Sequence, residues 1–194
     1  MKKICNFILL GFGLGVWQLS MGFQLPAVDR QSALLQASGT IELAFTPGDQ
    51  ADRIIIKAIE AARKQVLVQT FSFTHKGIAL ALIDAHKRGI DVQLVSDRDQ
   101  IERMERSQIP ALANAGVLVL VDSEHDSAHN KIIIIDGQSA QAVVVTGSFN
   151  FTHAAQFRNA ENLLVFRGNP QLTLAYLDNW RLHRKHAQPF ETRK

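Results

Sequence analysis

From Thr40 onward, apolar and polar residues alternate at short range: Ile41, Leu43 and Phe45 interleave with Glu42 and Ala44. This period of two predicts a strand with one buried face. Thr46-Pro47-Gly48-Asp49 interrupts it, and Asp49 is placed to cap a helix carrying Ile55, Ile59 and Ala62 on one side. Val66 to Phe73 reads as a second strand, and a helix follows from Thr74 through Arg88 with Gly89 as its stop. Val92 to Val95 is a third strand. Asp99 to Ala115 has helical spacing, broken near Pro110 and ended at Gly116, before a fourth strand from Val117 to Val121. Strands alternating with helices in this way predict an α/β fold, a mainly parallel sheet with helices on both faces.

The second half has a different rhythm. After the polar loop "DSEHDSA", Ile132–Ile135 and Ala142–Val145 read as strands joined through Asp136-Gly137, a hairpin-type turn, which makes the sheet mixed. Leu163–Phe166 is a further strand. Asn169–His186 forms a closing amphipathic helix with Leu172, Tyr176, Leu177 and Trp180 on one side. No internal repeat or low-complexity segment appears, so residues 40–194 are expected to be one domain and 23–39 a linker or peripheral segment.

The N-terminal end changes the picture of where this domain works. Lys2 and Lys3 precede an apolar run from Ile4 to Trp17, and small residues Ser20 and Gly22 follow. That order is expected of a secretory signal peptide over residues 1–22, giving a periplasmic or secreted protein without stable membrane insertion after cleavage. The run is short for a membrane span of about 20 residues, although retention as an anchor is the alternative. Gly11, Gly13 and Gly15 have no preceding strand, which sets aside a dinucleotide-binding turn. Without Lys2 and Lys3 the formal net charge of +3 falls to about +1, so a polyanion must be met by a local patch. The one cysteine, Cys5, lies in the same segment, which leaves the domain without disulfide or thiolate chemistry.

The chemistry concentrates at "HNKIIIIDG" and "TGSFNF". Residues two apart in a strand share a face, so His129 and Lys131 project together, while Asp136 lies at odd spacing beyond the isoleucines. Aspartate there reads as a turn or hydrogen-bonding residue. Ser148 and Asn150 are again two apart, and Gly147 permits a close backbone approach. Imidazole, ammonium, hydroxyl and carboxamide together suit a tetrahedral oxyanion, with histidine as nucleophile or proton carrier.

His129-x-Lys131, Asp136 and Gly147-Ser148-x-Asn150 together resemble the HKD motif of the phospholipase D superfamily. One copy on a short exported chain resembles its small bacterial EDTA-resistant endonucleases, over roughly Thr40 to His186. "TGSFNFT" followed by Glu161-Asn162 fits that branch; the longer interval between Asp136 and Gly147 requires an extended hairpin at Gln138–Gln141. The resemblance implies a phospholipase D-like fold and a non-specific phosphodiesterase acting on DNA, with RNA left open. His129 would form a phosphohistidine, Lys131 and Asn150 with help from Ser148 would bind the non-bridging oxygens, and Glu161 would hydrogen-bond the histidine. Asp136 would support them. No metal and no cofactor are implied. The reaction asks for two histidines where the chain has one motif, so a homodimer sharing its active site is expected.

Other residues carry weaker signals. His75 and His153 lie near strand ends and read mainly as solvated loop histidines, with His153 a candidate substrate contact. Asp122, Glu124, His125, Asp126 and His129 could be grouped as metal ligands. However, the segment leads into a strand, where four residues span about 13 Å, so no metal site is expected. The tail "RLHRKH" reads as a solvated helix end. Two other functions use the same residues: a lipid phosphodiesterase, and a nucleic-acid-binding relative that has lost catalysis.

Overall fold

The computed structural model describes residues 32–191. The expected signal peptide and most of segment 23–39 lie outside them. One compact unit begins at Leu35. Its strands are β1 (Thr40–Thr46), β2 (Gln65–Thr70), β3 (Asp91–Asp97), β4 (Leu118–Asp122), β5 (Lys131–Ile135), β6 (Val143–Gly147), β7 (Glu161–Arg167) and β8 (Gln188–Pro189). Its helices are α1 (Ala51–Glu60), α2 (Lys76–Lys87), α3 (Arg98–Arg103), α4 (Ile109–Asn114), α5 (His153–Phe157) and α6 (Pro170–His186). Among the described residues no helix is long and apolar enough to cross a membrane.

The strands form one mixed sheet in the order β1-β7-β6-β5-β2-β3-β4-β8. Helices cover both faces, as the sequence pattern requires. Val66, Val68, Leu94, Ile133 and Ile135 join the core of α1, α2 and α4. The alternate residues Leu67, Val95, Leu120, Ile132 and Ile134 pack under Leu177 and Trp180 of α6. All five residues of β5 are therefore buried, which explains an unbroken isoleucine run where a one-faced strand would alternate.

The sheet is mainly antiparallel, not mainly parallel as expected: among the named strands, parallel pairing is confined to β2-β3-β4, and the β1-β7-β6-β5 half is antiparallel. The parallel strand–helix–strand crossovers end at β4, and the short turn between β5 and β6 can join only antiparallel neighbours. The expected helix over 99–115 is two helices. The break falls at Met104–Gln108, ahead of Pro110, which sits in the first turn of α4 where its missing N–H costs no hydrogen bond.

Strand β1 also departs from its pattern. Ala44 and Thr46 face the core, whereas Ile41, Leu43 and Phe45 are 55%, 56% and 59% exposed. They lie beside Phe166, Leu164 and Asn162 of β7, on a part of the sheet past the reach of α6.

Candidate active site

The register of the sheet gathers most of the candidate residues on one edge. Lys131 begins β5 opposite Thr70, the last residue of β2, and continuing the β5–β6 pairing sets it across from Gly147. Gly147 in turn pairs with Leu163, two residues into β7 from Glu161. Neighbouring strands lie about 4.8 Å apart. Thus the ends of β2 and β6 and the starts of β5 and β7 deliver their residues to one small region.

Lys131 is buried, although a lysine is seldom tolerated there. Its Nζ donates to the His129 carbonyl at 2.6 Å and lies 2.9 Å from His129 Nδ1. The ring of Phe71 completes the niche, 4.8 Å from Nζ to its centroid and 4.3 Å from the His129 ring. Burial lowers the Lys131 pKa to about 8, against the opposing pull of Glu161 and Asp97. Partial desolvation, with Lys131 adding to it and Asp97 opposing, holds His129 below its ordinary 6.5. Imidazole is therefore neutral at neutral pH while the ammonium is still charged.

The turn after β6 is held by its backbone. Gly147 has φ of 141°, and a Cβ there would meet the Asn162 carbonyl oxygen at 2.3 Å. The N–H of Ser148 donates to Asn162 O at 3.1 Å, and Ser148 Oγ accepts the Asn162 N–H at 3.0 Å. That bond leaves the Ser148 hydroxyl hydrogen free to donate. Phe149 and Phe151 are buried anchors on either side of Asn150, and Phe151 O accepts the N–H groups of Thr74 and His75 at 2.9 Å. Asn150 Oδ1 is buried without a hydrogen-bond partner among the described residues. The opposite end of the amide, Nδ2, is the end available as a donor toward the open groove that Asn150 lines.

That groove has a volume of about 1200 Å³ and runs from Ser72 and Asn150 past His75, His153 and Gln108. Lys76, Arg103, Arg106 and Arg158 line it along with one carboxylate, Glu105. The sequence reading did not single out these cations, which are scattered along the chain and meet only in the fold.

Three expectations need correction. Asp136, counted with the motif, stands at the opposite edge of the sheet, about 17 Å along β5 from Lys131 at 3.3 Å per residue. There it adopts a left-handed φ of 49°, and its carboxylate accepts the N–H groups of Arg63, Lys64 and Gln65 at 3.0, 2.7 and 2.9 Å. It clamps β5 to the start of β2 and touches no reacting group. Glu161 accepts from Asn159 Nδ2 at 3.0 Å rather than from His129, and acts on the site through its charge on Lys131. His75 is not a solvated loop histidine: its Nδ1 caps α2 at Ile78 N, 3.3 Å, and its Nε2 lies 3.3 Å from Asp52. Exposed His153 opens α5, stacked on Phe157 at 4.4 Å and facing the groove. The residues added between Asp136 and Gly147 form a turn at Ser139–Ala142 on the far edge, so they leave Ser148 and Asn150 in place.

Two residues beyond the sequence reading support His129. Phe71 stacks on its ring, and buried Asp97 accepts the Ala128 N–H at 2.8 Å, fixing the chain just ahead of it. Asp97 ends a strand of ordinary apolar pattern, and nothing local distinguishes it from a helix cap, a role it also fills toward Gln100 at 2.9 Å.

A model of the family described as "Cardiolipin synthase, PLD-like domain" matches residues 55–180. A protein named phospholipase D from Rickettsia bellii is 38% identical over 80% of this chain and 74% of its own length. A human mitochondrial cardiolipin hydrolase is 34% identical over 69% of this chain, which spans 54% of that protein. Among solved structures, the phospholipase D family member Nuc from Salmonella typhimurium superposes with a TM-score of 0.74 at 30% identity, over 80% of this chain and all of Nuc. NucT from Helicobacter pylori gives 0.70 at 25% identity, over 79% of this chain and all of NucT. With its HKD residues set on the shared edge of β5 and β6, the chain belongs to the phospholipase D superfamily and carries its phosphodiesterase fold.

Proposed function

We propose that the protein is an exported, metal-independent endonuclease that cuts DNA with little sequence preference through a phosphohistidine at His129. The observation that carries this reading is the cationic groove leading from Asn150. Lys76, Arg103, Arg106 and Arg158 supply the local positive patch that a nearly neutral domain needs to hold a polyanion, and such a patch acts on phosphates without reading bases.

In the free site Lys131 occupies His129 Nδ1. A phosphodiester offers the ammonium an anionic oxygen instead, and Lys131 moves onto it. The imidazole proton then resides on Nδ1, and the Nε2 lone pair attacks phosphorus. A P–N bond forms as the P–O bond to the leaving sugar oxygen breaks, and that oxygen takes a proton from a second imidazole, which the negative charge of the bound phosphodiester holds protonated. Water then attacks phosphorus, returning a proton to the second imidazole, breaking the P–N bond and releasing a phosphomonoester. Lys131, Asn150 Nδ2 and the Ser148 hydroxyl hold the charge on the non-bridging oxygens throughout.

The second imidazole is His129 of a second copy. An isologous two-fold contact sets each site against its own counterpart. The exposed stripe of Ile41, Leu43 and Phe45 supports this assembly, because it is apolar, uncovered by the described residues and ends at Thr46, beside Glu161 on the site edge. Mixed dimers of wild-type and His129→Ala chains should be inactive, and a fully active monomer would overturn the arrangement.

A lipid phosphodiesterase is the second reading, favoured by the names of the Rickettsia and human relatives. Purified protein in excess EDTA is to be given circular DNA and, separately, phospholipid vesicles. Nicking without headgroup release supports the nuclease; the reverse result transfers the same chemistry to lipid. His129→Ala should abolish whichever activity is found.

A further inference from the structure

Three strands away from Lys131, the fold builds a second cluster that the phosphodiester chemistry does not use. Asp122 ends β4 with its side chain fully buried. His183 Nδ1 and His186 Nε2, from the last turn of α6, lie 2.9 and 3.1 Å from its Oδ2, and His125 Nδ1 lies 3.2 Å from both oxygens. The three imidazoles are packed with centroids 4.9, 5.3 and 5.4 Å apart. Sequence reading had grouped Asp122 and His125 with Glu124, Asp126 and His129; the fold replaces the last three with two histidines from a tail expected to be solvated.

We propose that Asp122, His125, His183 and His186 form a structural site for a divalent transition cation of the zinc class. One ligand atom from each residue lies within 4.8 Å of all the others. Tetrahedral ligands about 2.05 Å from zinc stand about 3.3 Å from one another, a separation that the three carboxylate–imidazole pairs already have. The remaining nitrogen–nitrogen gaps are at most 4.8 Å, so binding would draw the rings together by up to about 1.5 Å. Three neutral imidazoles and one carboxylate are a donor set suited to zinc rather than to calcium or magnesium.

The surroundings fit the same reading. The Glu124 N–H donates to Asp122 Oδ1 at 3.1 Å, orienting the carboxylate from outside. The C-terminal end of α6 directs its partial negative charge toward the cluster. Nearby cations are turned elsewhere: Arg181 pairs with Asp178 at 3.1 Å and Arg184 donates to Gln93 at 3.0 Å. Four protein ligands would leave no position open for substrate, so the ion would fasten rather than react. It would tie α6 to β4 and to the loop that continues through Ala128 to His129.

The test uses the full chain, stripped with a strong chelator, dialysed and titrated with Co²⁺ and then Zn²⁺. One Co²⁺ per chain with the visible absorption of tetrahedral nitrogen–oxygen coordination, displaced by one Zn²⁺, is the expected result. Tm should rise with free Zn²⁺. His183→Ala with His186→Ala should abolish the absorption. Should that chain fail to fold, His125→Ala carries the test, because its ring is 45% exposed and its loss spares the core. It should weaken Zn²⁺ binding at least tenfold. No stoichiometric Co²⁺ spectrum in the wild type, or unchanged binding in His125→Ala, would overturn the proposal and leave a hydrogen-bonded clasp. Because the readout is absorption and not cleavage, its failure is distinct from failure of the nuclease reading.

Discussion

Replacing Lys131 with arginine isolates the titration of one buried ammonium. Burial brings Lys131 to about 8, so it is about 90% protonated at pH 7 and about 10% at pH 9. Only the protonated form can neutralise a non-bridging oxygen. Arginine keeps its charge throughout this range, although its planar fork fits the niche beside Phe71 and His129 less well, and the maximal rate should fall. The informative quantity is the ratio of wild-type to Lys131→Arg rates, since every other titrating group is common to both. That ratio should drop about tenfold from pH 7 to pH 9. The assay is single-turnover cleavage of an aryl phosphodiester, whose leaving group is acidic enough to depart without a protonated imidazole. On the acid side both proteins should lose activity below the ordinary histidine range, because His129 must be neutral and its pKa is lowered. A ratio constant from pH 7 to 9 would show that the ammonium does not serve the reaction in its charged form.

Further outcomes follow from other positions. Asn150→Ala should lower the chemical step by about 10²- to 10³-fold with a smaller change in KM, as single-turnover kinetics would show. Asp136→Ala should cost about 1–2 kcal/mol of stability in urea unfolding, through three unpaired N–H groups, with little change in kcat. Gly147→Ala should destabilise by about 2 kcal/mol or more and reduce cleavage, since its Cβ would strike the Asn162 carbonyl. Gln69→Leu should stabilise by about 1–2 kcal/mol, because both amide ends of Gln69 are buried in the sheet without partners; a fall in Tm would reveal a partner for that amide.

The sequence made the pairing of His129 with Lys131 legible because a period of two assigns them to one face whatever the strand's neighbours are. The helices on both faces were equally readable, since the alternating helix and strand segments of the first half permit few topologies. What stayed hidden depends on contacts between distant segments. The apolar residues of β1 look inward by pattern, yet their exposure depends on where α6 ends, which no local signal records. His183 and His186 look like part of a basic, solvated tail. Only the pairing of α6 with the end of β4 turns them onto Asp122, 61 and 64 residues earlier. Asp136 is half legible: its odd spacing gives the turn and hydrogen-bonding role it has, but its place in the motif groups it with the site, while the strand between it and Lys131 carries it to the other edge.

This separation also explains why the motif has the parts it does. The active edge lies where the parallel and antiparallel halves of the sheet meet, at the junction of β2 with β5. Ligand sites in open α/β sheets form at such changes of direction, because chain ends diverge there and leave a cleft. β5 must then enter the sheet at the cleft, and the residues that lead into it, His129 to Lys131, become the ones that face it. The same strand has to be held in register, since a slip of one residue would turn Lys131 into the opposite face. Asp136 performs that task from the far end, binding three N–H groups at the start of β2. The motif's aspartate and its lysine are thus two ends of one device. The carboxylate fixes where the strand sits, and that placement sets the buried ammonium beside His129.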